Sequence, residues 1–332
     1  MESRRWHPVY GIARREPPCP IGQAPGRAAY NHRLEVAVAD AVGFIGLGAM
    51  GKPMALNLRK HDVAVVVHNR SQAAERALAE AGASVATTPA AIAAASQHIV
   101  LMLPDAPDVE AVLLGASGLL ASLQPGSVVV DSSTIAPSAA RRFAALVAER
   151  GGHYLDAPVS GGEIGAIDGT LTFMVGGDAQ ALEVVRDLLG CMGKPERIVH
   201  VGPSGAGQVC KACNQLVIGG TMVAVAEALA LARKSGVDGA KVRQALLGGF
   251  AASRVLEVHG ERMLTSNYKP GFKARLYKKD LRIVTEALAE AGVAAPETAL
   301  VQQLVHADLA AGGGDDDYSA VARAIFRLAG LD

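Results

Sequence analysis

The sequence predicts an α/β protein in two parts, a doubly wound parallel sheet followed by an all-helical C-terminal domain. Short apolar, β-branched runs alternate with helical segments through the first part of the chain, which is the order that builds a parallel sheet. A glycine-rich turn follows the first of these runs and opens a helix. Beyond Gly202 only helical patterns continue, as far as Leu331.

Length and charge limit the classes of protein to which the chain can belong. Its 332 residues are more than one hydrophobic core usually serves, so two domains are expected, divided after residue 203. The 32 basic and 32 acidic side chains balance, which argues against nucleic acid or an anionic membrane as a partner. The four cysteines are irregularly spaced, which indicates a reducing compartment and a cytoplasmic protein.

Residues 1–40 differ in composition from the rest of the chain. They are rich in proline and arginine and show no apolar periodicity. No apolar stretch follows the basic start, so the segment is not a secretory signal. We expect a disordered extension or a mis-called translation start, and we assign the segment no functional role.

The elements of the first part follow in order. Ala41–Leu47 is predicted to be a buried parallel strand, and Met50–Lys60 is the helix after it. Val63–His68 is β-branched and predicts the second strand. Ser71 is expected to cap the next helix, which Gly82 ends. A further helix and two further strands are predicted at Pro107–Leu114, Ile99–Leu103 and Ser127–Asp131.

The second part begins with the most apolar helix of the chain, predicted over Gln208–Arg233. Within Ala212–Ala232 only Glu227 is charged, so a transmembrane span has to be considered. Asn214 and Gln215 lie inside this stretch, and no aromatic residues flank it. A core or interface helix is therefore favoured, with no membrane contact, and its length predicts a homodimer or homotetramer.

The turn after the first strand has the GxGxxG spacing, at Gly46, Gly48 and Gly51. The first glycine permits a tight turn, the second lets the backbone approach a pyrophosphate, and the third lets the helix pack close to the strand. An ordinary βα turn is the alternative. The loop predicts a Rossmann-type dinucleotide-binding domain over residues 41–203. Its predicted cofactor contacts are Gly46, Leu47, Gly48, Ala49, Met50 and Gly51.

The end of the second strand bears on the choice of cofactor. NAD enzymes tend to place an acidic residue there, which binds the ribose 2′-hydroxyl. This chain has Asn69, Arg70 and Ser71 instead, with no carboxylate in the stretch to repel a 2′-phosphate. Because a guanidinium pairs well with phosphate, the stretch favours NADP(H), with NAD(H) as the alternative. An exposed arginine without a cofactor role is the other interpretation.

Two later motifs can serve chemistry. Ser160 is followed by Gly161-Gly162, whose backbone N–H groups suit a carboxylate. Gly207, Lys211 and either Asn214 or Gln215 follow at helical spacing and share one face. Gly207 is expected to leave room beside the lysine for a ligand. A lone helical lysine is more often a solvated charge, but this one opens an apolar helix.

Other combinations that could suggest catalysis are weaker. Cys210 and Cys213 form CxxC, but they lack the second pair or the histidines that a zinc site needs, so no metal is predicted. Glu110, Asp131 and Asp168 have no obvious paired carboxylate, so glycosidase-type chemistry has no support.

Taken together, the motifs resemble the β-hydroxyacid dehydrogenase family over about residues 41–330. They lie at Gly43–Leu58, Asp156–Gly162, Gly207–Gln215 and Lys269–Leu281, the last containing the sequence KDL. Within the family, Val67–Ser71 and Gly248–Met263 are most similar to the members that reduce tartronate semialdehyde. The segment Asp315–Ser319 departs from a DHSA-like family pattern, which leaves a substrate contact there in doubt.

The resemblance implies roles for individual residues. Lys211 would be the catalytic acid and base, and Asn214 would help to hold the substrate. Ser160, Gly161 and Gly162 would bind the substrate carboxylate. Implied contacts on the nicotinamide side of the cofactor are Leu103, Pro104, Thr134 and Lys279.

The activity that the resemblance implies is reversible, NADP(H)-dependent reduction of a small carboxylated aldehyde, with tartronate semialdehyde giving glycerate. A dehydrogenase of 3-hydroxyisobutyrate or another 3-hydroxy acid is the alternative. A non-catalytic dinucleotide-binding protein is an alternative of a different class. Residues 204–332 would form the all-helical domain for substrate binding and oligomerisation.

Overall fold

A computed structural model describes residues 41–331. The expectations for residues 1–40 lie outside the described residues. The fold class predicted from the sequence is confirmed: a largely parallel sheet carries helices on both faces, and a helical domain follows it.

The sheet contains nine strands in the described part of the chain. They are β1 (Val42–Ile45), β2 (Val65–His68), β3 (Ser84–Val85), β4 (His98–Leu101), β5 (Val128–Asp131), β6 (His153–Asp156), β7 (Val159–Ser160), β8 (Leu171–Gly176) and β9 (Gly193–Gly202). The first six are parallel in the order β3-β2-β1-β4-β5-β6, the order of a dinucleotide-binding sheet. The carboxyl ends of β1, β2, β4, β5 and β6 therefore lie along one edge.

The last strands depart from the predicted parallel arrangement. β8 runs antiparallel to β6 and to β7, and β9 pairs with β8 in parallel. The turn at Gly161 and Gly162, both with positive φ, leads from β7 into the short helix that precedes β8. The chain thus reverses direction directly after the motif at Asp156–Gly162, whose sequence is DAPVSGG.

Helices cover both faces of the sheet. They are α1 (Gly51–Lys60), α2 (Gln72–Glu80), α3 (Pro89–Ala95), α4 (Ala106–Leu114), α5 (Pro137–Ala148), α6 (Gly162–Asp168) and α7 (Ala179–Gly190). Strand register aligns Phe44 with Val67 and Val100, and Val100 with Val130, so these side chains form one buried row. Ile45, Leu101 and Val129 face the opposite core. Burial on both faces explains why the strands are almost continuously apolar.

The helical domain is built around one long helix. Its elements are α8 (Ala206–Lys234), α9 (Gly239–Leu247), α10 (Arg254–Leu264), α11 (Ala274–Glu290), α12 (Pro296–Ala310) and α13 (Ala322–Leu328). Met222, Leu229, Tyr277 and Phe326 belong to its core. α8 is long and apolar enough to cross a membrane, but it contacts all five other helices of this domain. The preference for a core helix over a membrane span therefore agrees with its packing.

Candidate active site

The glycine loop has the shape that a dinucleotide requires. Gly46 has φ +97°, and a side chain there would collide with the carbonyl of Met102. A side chain at Gly51 would collide with the carbonyl of Gly46, whereas a Cβ at Gly48 would meet nothing within 4 Å. The first turn of α1 has no acidic residue, and Met50 caps none of its N–H groups. The start of α1 therefore fits a pyrophosphate, because the helix dipole favours an anion there and no acidic side chain of the first turn opposes it.

Asn69 joins the end of β2 to this loop. Its Oδ1 accepts a hydrogen bond from the Leu47 N–H at 3.0 Å, and its Nδ2 donates to the Ser71 carbonyl at 3.0 Å. Ser71 occupies the cap position of α2, as predicted, but its side chain makes no capping hydrogen bond. Arg70 is exposed beside them. These three predicted cofactor contacts thus lie next to the glycine loop.

Glu75 was missed in the sequence, and it corrects one expectation. Its carboxylate accepts a hydrogen bond from the Asn69 N–H at 2.7 Å and lies 3.6 Å from His68 Nδ1. The expectation that no carboxylate lies at the end of β2 is therefore wrong, because α2 brings Glu75 back to that point. Glu75 is buried, and its Oε1 is engaged by the backbone of Asn69.

Lys279 brings the predicted nicotinamide-side residues together. Its ammonium donates to the carbonyl of Pro104 at 3.0 Å and to that of Thr134 at 2.7 Å. The Leu103 N–H donates to Ser133 Oγ at 2.9 Å, which joins the loops after β4 and β5. The carboxyl ends of two neighbouring strands thus meet α11 of the helical domain.

The loop after β5 rests on a buried carboxyl group. Asp131 accepts hydrogen bonds from the Tyr154 hydroxyl at 2.5 Å and from the Ser133 N–H at 2.9 Å. Burial raises the pKa of Asp131 to about 6, although those hydrogen bonds act to lower it. Glu110 forms an exposed ion pair with Arg142 at 2.8 Å. Neither carboxyl group is therefore isolated.

The start of α8 is attached to the sheet by Asp156, the first residue of DAPVSGG. The N–H groups of Gly205 and Gln208 donate to its two carboxylate oxygens at 2.7 and 2.9 Å. Gly207 lies so close that a side chain would collide with the carbonyls of Asp156 and Met174. The expected room for a ligand beside Gly207 is thus wrong, because the glycine serves the close approach of helix and sheet.

Gln208 is a second connection that the sequence did not reveal. The Ile135 N–H donates to its Oε1 at 3.1 Å, and its Nε2 donates to the Ser133 carbonyl at 2.8 Å. Its side chain therefore fastens α8 to the loop that contains Thr134. No sequence pattern distinguishes this glutamine from others, because both partners are backbone atoms distant in the chain.

Lys211 lies one turn further along α8 and is buried, with 8% of its surface exposed. In residues 41–331 its ammonium has neither a hydrogen bond nor an ion-pair partner. Burial lowers the pKa of Lys211, the charge of Asp280 opposes this, and that of Lys279 adds to it. A buried, unpartnered amine whose pKa is lowered is suited to exchange a proton with a ligand.

The face beside Lys211 is completed by two amides. Asn214 is half-buried, and its Nδ2 donates to Gln215 Oε1 at 2.9 Å. Gln215 is buried and its Nε2 donates to Asp280 Oδ2 at 2.6 Å. The two alternatives left open by the sequence therefore differ: Gln215 is used in packing against α11, whereas Asn214 remains accessible.

Ser160, Gly161 and Gly162 form the turn between β7 and α6. Gly161 has φ +138° and Gly162 has φ +63°, and a Cβ at Gly162 would meet nothing within 4 Å. The turn follows β7, which begins three residues after Asp156, so it lies close in sequence to the residue that holds α8. Contact between the turn and a substrate stays a prediction.

The unusual segment Asp315–Ser319 has a packing role. Asp317 is buried and accepts hydrogen bonds from the N–H groups of Gly271 and Phe272 at 2.9 and 3.2 Å. Arg262 lies 3.3 Å from the same carboxylate. These contacts hold the turn that leads into α11, and so they support Lys279 indirectly.

Comparison with known proteins identifies the family. Residues 41–202 match the model of the NAD binding domain of 6-phosphogluconate dehydrogenase, and residues 205–325 match that of the NAD-binding region of NADP-dependent 3-hydroxyisobutyrate dehydrogenase. The chain belongs to the 3-hydroxyisobutyrate dehydrogenase-like family of β-hydroxyacid dehydrogenases.

Individual relatives extend over most of the chain. The 2-hydroxy-3-oxopropionate reductase of Escherichia coli is 45% identical over 288 residues, covering 87% of this chain and 98% of that protein. The NAD-dependent L-serine dehydrogenase of Pseudomonas aeruginosa is 40% identical, covering 84% and 96%. A solved structure of Mycobacterium tuberculosis 3-hydroxyisobutyrate dehydrogenase with L-serine has a TM-score of 0.78 and 34% identity, covering 86% of this chain and 99% of that one.

These relatives establish the reaction class. The protein is an NAD(P)-dependent oxidoreductase acting on CH–OH groups of hydroxy acids, and it binds a nicotinamide dinucleotide. The alternative of a non-catalytic dinucleotide-binding protein is therefore wrong. Within residues 41–331 no group of three or more His, Cys, Asp or Glu side chains could hold a metal ion.

Proposed function

We propose that this protein reduces tartronate semialdehyde to glycerate with NADPH, reversibly. The observation that carries the proposal is Lys211, a buried residue whose ammonium has no hydrogen-bond or ion-pair partner in residues 41–331, on a helix fastened by Asp156 and Gln208 to the loops around the predicted nicotinamide site. The 45% identity to a 2-hydroxy-3-oxopropionate reductase supports the choice of substrate, because that compound is tartronate semialdehyde.

The residues of this chain divide the work of binding. The glycine loop and the start of α1 would hold the pyrophosphate, and Asn69, Arg70 and Ser71 would surround the adenosine ribose. Arg70 is free to pair with a 2′-phosphate in bidentate fashion, which supports NADPH over NADH. When bound, the cofactor supplies a hydride in the reduction and accepts one in the oxidation.

The turn after β7 and the helix α8 would bind the substrate and exchange a proton with it. Ser160, Gly161 and Gly162 would bind the carboxylate, because their N–H groups open at a turn with positive φ. Asn214 would orient the hydroxyl or the aldehyde oxygen. Lys211 would donate its proton to the oxygen as negative charge develops there, a step worth about 10²–10⁴ in rate. In the reverse direction the neutral amine takes the proton back from the hydroxyl.

A matrix of substrates and cofactors tests the proposal. Initial rates are measured for tartronate semialdehyde with NADPH and NADH, and for glycerate, 3-hydroxyisobutyrate and L-serine with the oxidised cofactors. We expect kcat/KM for the reduction to be higher with NADPH than with NADH, and kcat/KM for the oxidations to be highest with glycerate, by about ten-fold or more in each comparison. A higher kcat/KM with 3-hydroxyisobutyrate or L-serine would contradict the proposed substrate. A higher kcat/KM with NADH would contradict the proposed cofactor.

We propose in addition that the protein is a cytoplasmic homodimer or homotetramer that contacts no membrane. Val217 and Leu231 of α8 are exposed, at 61% and 69%, on the one helix in residues 41–331 that is long and apolar enough to cross a membrane. Exposed apolar side chains along one helix favour association with another copy. Light scattering after gel filtration measures the mass, and a monomer of about 34 kDa would contradict this proposal.

A further inference from the structure

The end of β2 is joined to the glycine loop by two hydrogen bonds. The register of β1 and β2 ends with the pair Ile45 and His68. Beyond it the Gly46 N–H donates to the His68 carbonyl at 3.2 Å, and the Leu47 N–H donates to Asn69 Oδ1 at 3.0 Å. Both donors belong to the turn that precedes α1. The position of Asn69 therefore fixes one side of the turn that fits a pyrophosphate.

Glu75 of α2 holds the backbone of Asn69. Its Oε1 accepts the hydrogen bond from the Asn69 N–H at 2.7 Å, and only 9% of Glu75 is exposed. A hydrogen bond to a carboxylate is about twice as strong as one between neutral groups, and burial strengthens it further. The side chain of Asn69 is engaged with the Leu47 N–H and the Ser71 carbonyl. Glu75 is therefore connected to the glycine loop through a single residue.

A carboxylate at the end of the second strand can have either of two tasks. In NAD enzymes it accepts a hydrogen bond from the ribose hydroxyl. Here Oε1 of Glu75 accepts from a backbone N–H, and His68 Nδ1 lies 3.6 Å from the same oxygen. His68 Nδ1 is also 3.0 Å from the Ala86 carbonyl, which can only accept, so this nitrogen carries a hydrogen. The carboxylate thus faces donors of the protein itself, which favours the task of holding the turn.

We infer that Glu75 is a positioning residue for the cofactor. Through the Asn69 N–H it holds the turn at residues 69–71 against the glycine loop, and it does not itself contact the ribose. The inference goes beyond the proposed function because it concerns both cofactors and no substrate, and it rests on that function only in placing the adenosine ribose at the end of β2. Since the contact is made to the backbone and not to a 2′-phosphate, its loss should weaken NADPH and NADH equally. Arg70, by contrast, is expected to serve NADPH alone.

Variants of Glu75 test the inference through the dissociation constants of NADPH and NADH, measured by fluorescence titration of the full chain without substrate. Glu75→Met keeps the length and removes the acceptor, and we expect both constants to rise about ten-fold. Glu75→Leu repeats the removal with a second strong helix former. Glu75→Gln removes the charge but keeps an oxygen for the Asn69 N–H, so both constants should stay within about three-fold of the wild type. Glu80→Gln is the matched control, because it removes an exposed carboxylate from the same helix and should leave both constants unchanged.

Turnover separates positioning of the cofactor from a general loss of stability. At saturating cofactor, kcat of Glu75→Met should stay within about two-fold of the wild type, because Glu75 lies on α2 and the proposed proton donor lies on α8. The substrate is whichever aldehyde or hydroxy acid the wild type turns over. A merely structural role would lower the melting temperature and leave the dissociation constants of the folded protein unchanged.

The outcomes separate this inference from the proposed function. Unchanged dissociation constants in folded Glu75→Met or Glu75→Leu overturn the inference. A Glu75→Gln variant that binds NADH as weakly as Glu75→Met also overturns it, because the carboxylate itself would then contact the ribose. A wild type that prefers NADH, with equal losses for both cofactors in Glu75→Met, instead refutes the proposed cofactor and supports the inference.

Discussion

Replacement of Lys211 by methionine should abolish most turnover without weakening the fold. The side chain is 8% exposed and its ammonium has no partner in residues 41–331, so the folded state holds a desolvated charge with little compensation. Methionine keeps the length and the apolar stem. Because a buried charge without a partner is costly to remove from water, an apolar residue in its place removes that cost, and we expect the melting temperature to stay the same or to rise.

Turnover should respond in the opposite direction. Loss of a general acid costs about 10²–10⁴ in rate, so kcat for aldehyde reduction is expected to fall at least 100-fold. NADPH affinity should change less than three-fold, because the glycine loop and Asn69 lie on elements other than the helix of Lys211. The assays are steady-state kinetics, fluorescence titration with NADPH and thermal unfolding on the same preparations.

Two outcomes would refute this reasoning. A folded Lys211→Met that binds NADPH and keeps more than about a tenth of wild-type turnover would show that another group supplies the proton. A melting temperature lowered by several degrees would show that the ammonium is stabilised in a way that the geometry does not reveal. Lys278→Met is the control, since Lys278 is an exposed lysine on α11 and its loss should leave kcat within two-fold.

Three further predictions concern the cofactor, the start of α8 and pH. Arg70→Ala should raise KM for NADPH about ten-fold or more and leave KM for NADH nearly unchanged, as loss of a charge-assisted pair of about 1.5–3 kcal/mol requires; equal changes would contradict the 2′-phosphate contact. Asp156→Ala leaves the N–H groups of Gly205 and Gln208 without their carboxylate and should lower the free energy of unfolding by about 2–4 kcal/mol in urea titrations. Burial raises the pKa of Asp131 from 3.8 to about 6, so the folded state favours the protonated carboxyl group. The stability that this group contributes to the fold is therefore fully present below pH 4 and is lost as the pH rises through 6. Asp131→Asn should therefore gain stability relative to the wild type by about 3 kcal/mol between those pH values, and a constant difference would refute the raised pKa.

Much of the dinucleotide-binding half was predictable from short-range patterns. Burial on both faces makes strands such as Val128–Asp131 continuously apolar, and that signal is local. The glycines at positions 46, 48 and 51 were predictable for the same reason, because their spacing is a local pattern. A side chain at Gly46 or Gly51 would collide with a backbone carbonyl, whereas a Cβ at Gly48 would enter open space. Antiparallel β8 was not predicted, because an apolar run does not indicate the direction in which it pairs.

The candidate site could be predicted only in part. Lys211 was selected correctly as a buried amine, since a charged residue within an apolar helix is visible in sequence. Gln208 and Asp280 were not selected, because their importance lies in partners 75 and 65 residues away. Glu75 escaped notice for a related reason: the fold returns a helical side chain to a strand end that looks free of acid in the sequence.

The chain by itself thus determined its elements, its glycine loop and the residue types available for catalysis, because propensity, periodicity and steric need operate over a few residues. The folded molecule decided which backbone groups Asp156, Gln208 and Lys279 would hold, and it left the ammonium of Lys211 without a hydrogen-bond or ion-pair partner in residues 41–331. Those contacts join strands, loops and helices whose order in space depends on the packing of the whole sheet against α8 and α11. Burial then turns the same contacts into shifted proton affinities, since a charge removed from water depends on whichever groups the fold has placed beside it.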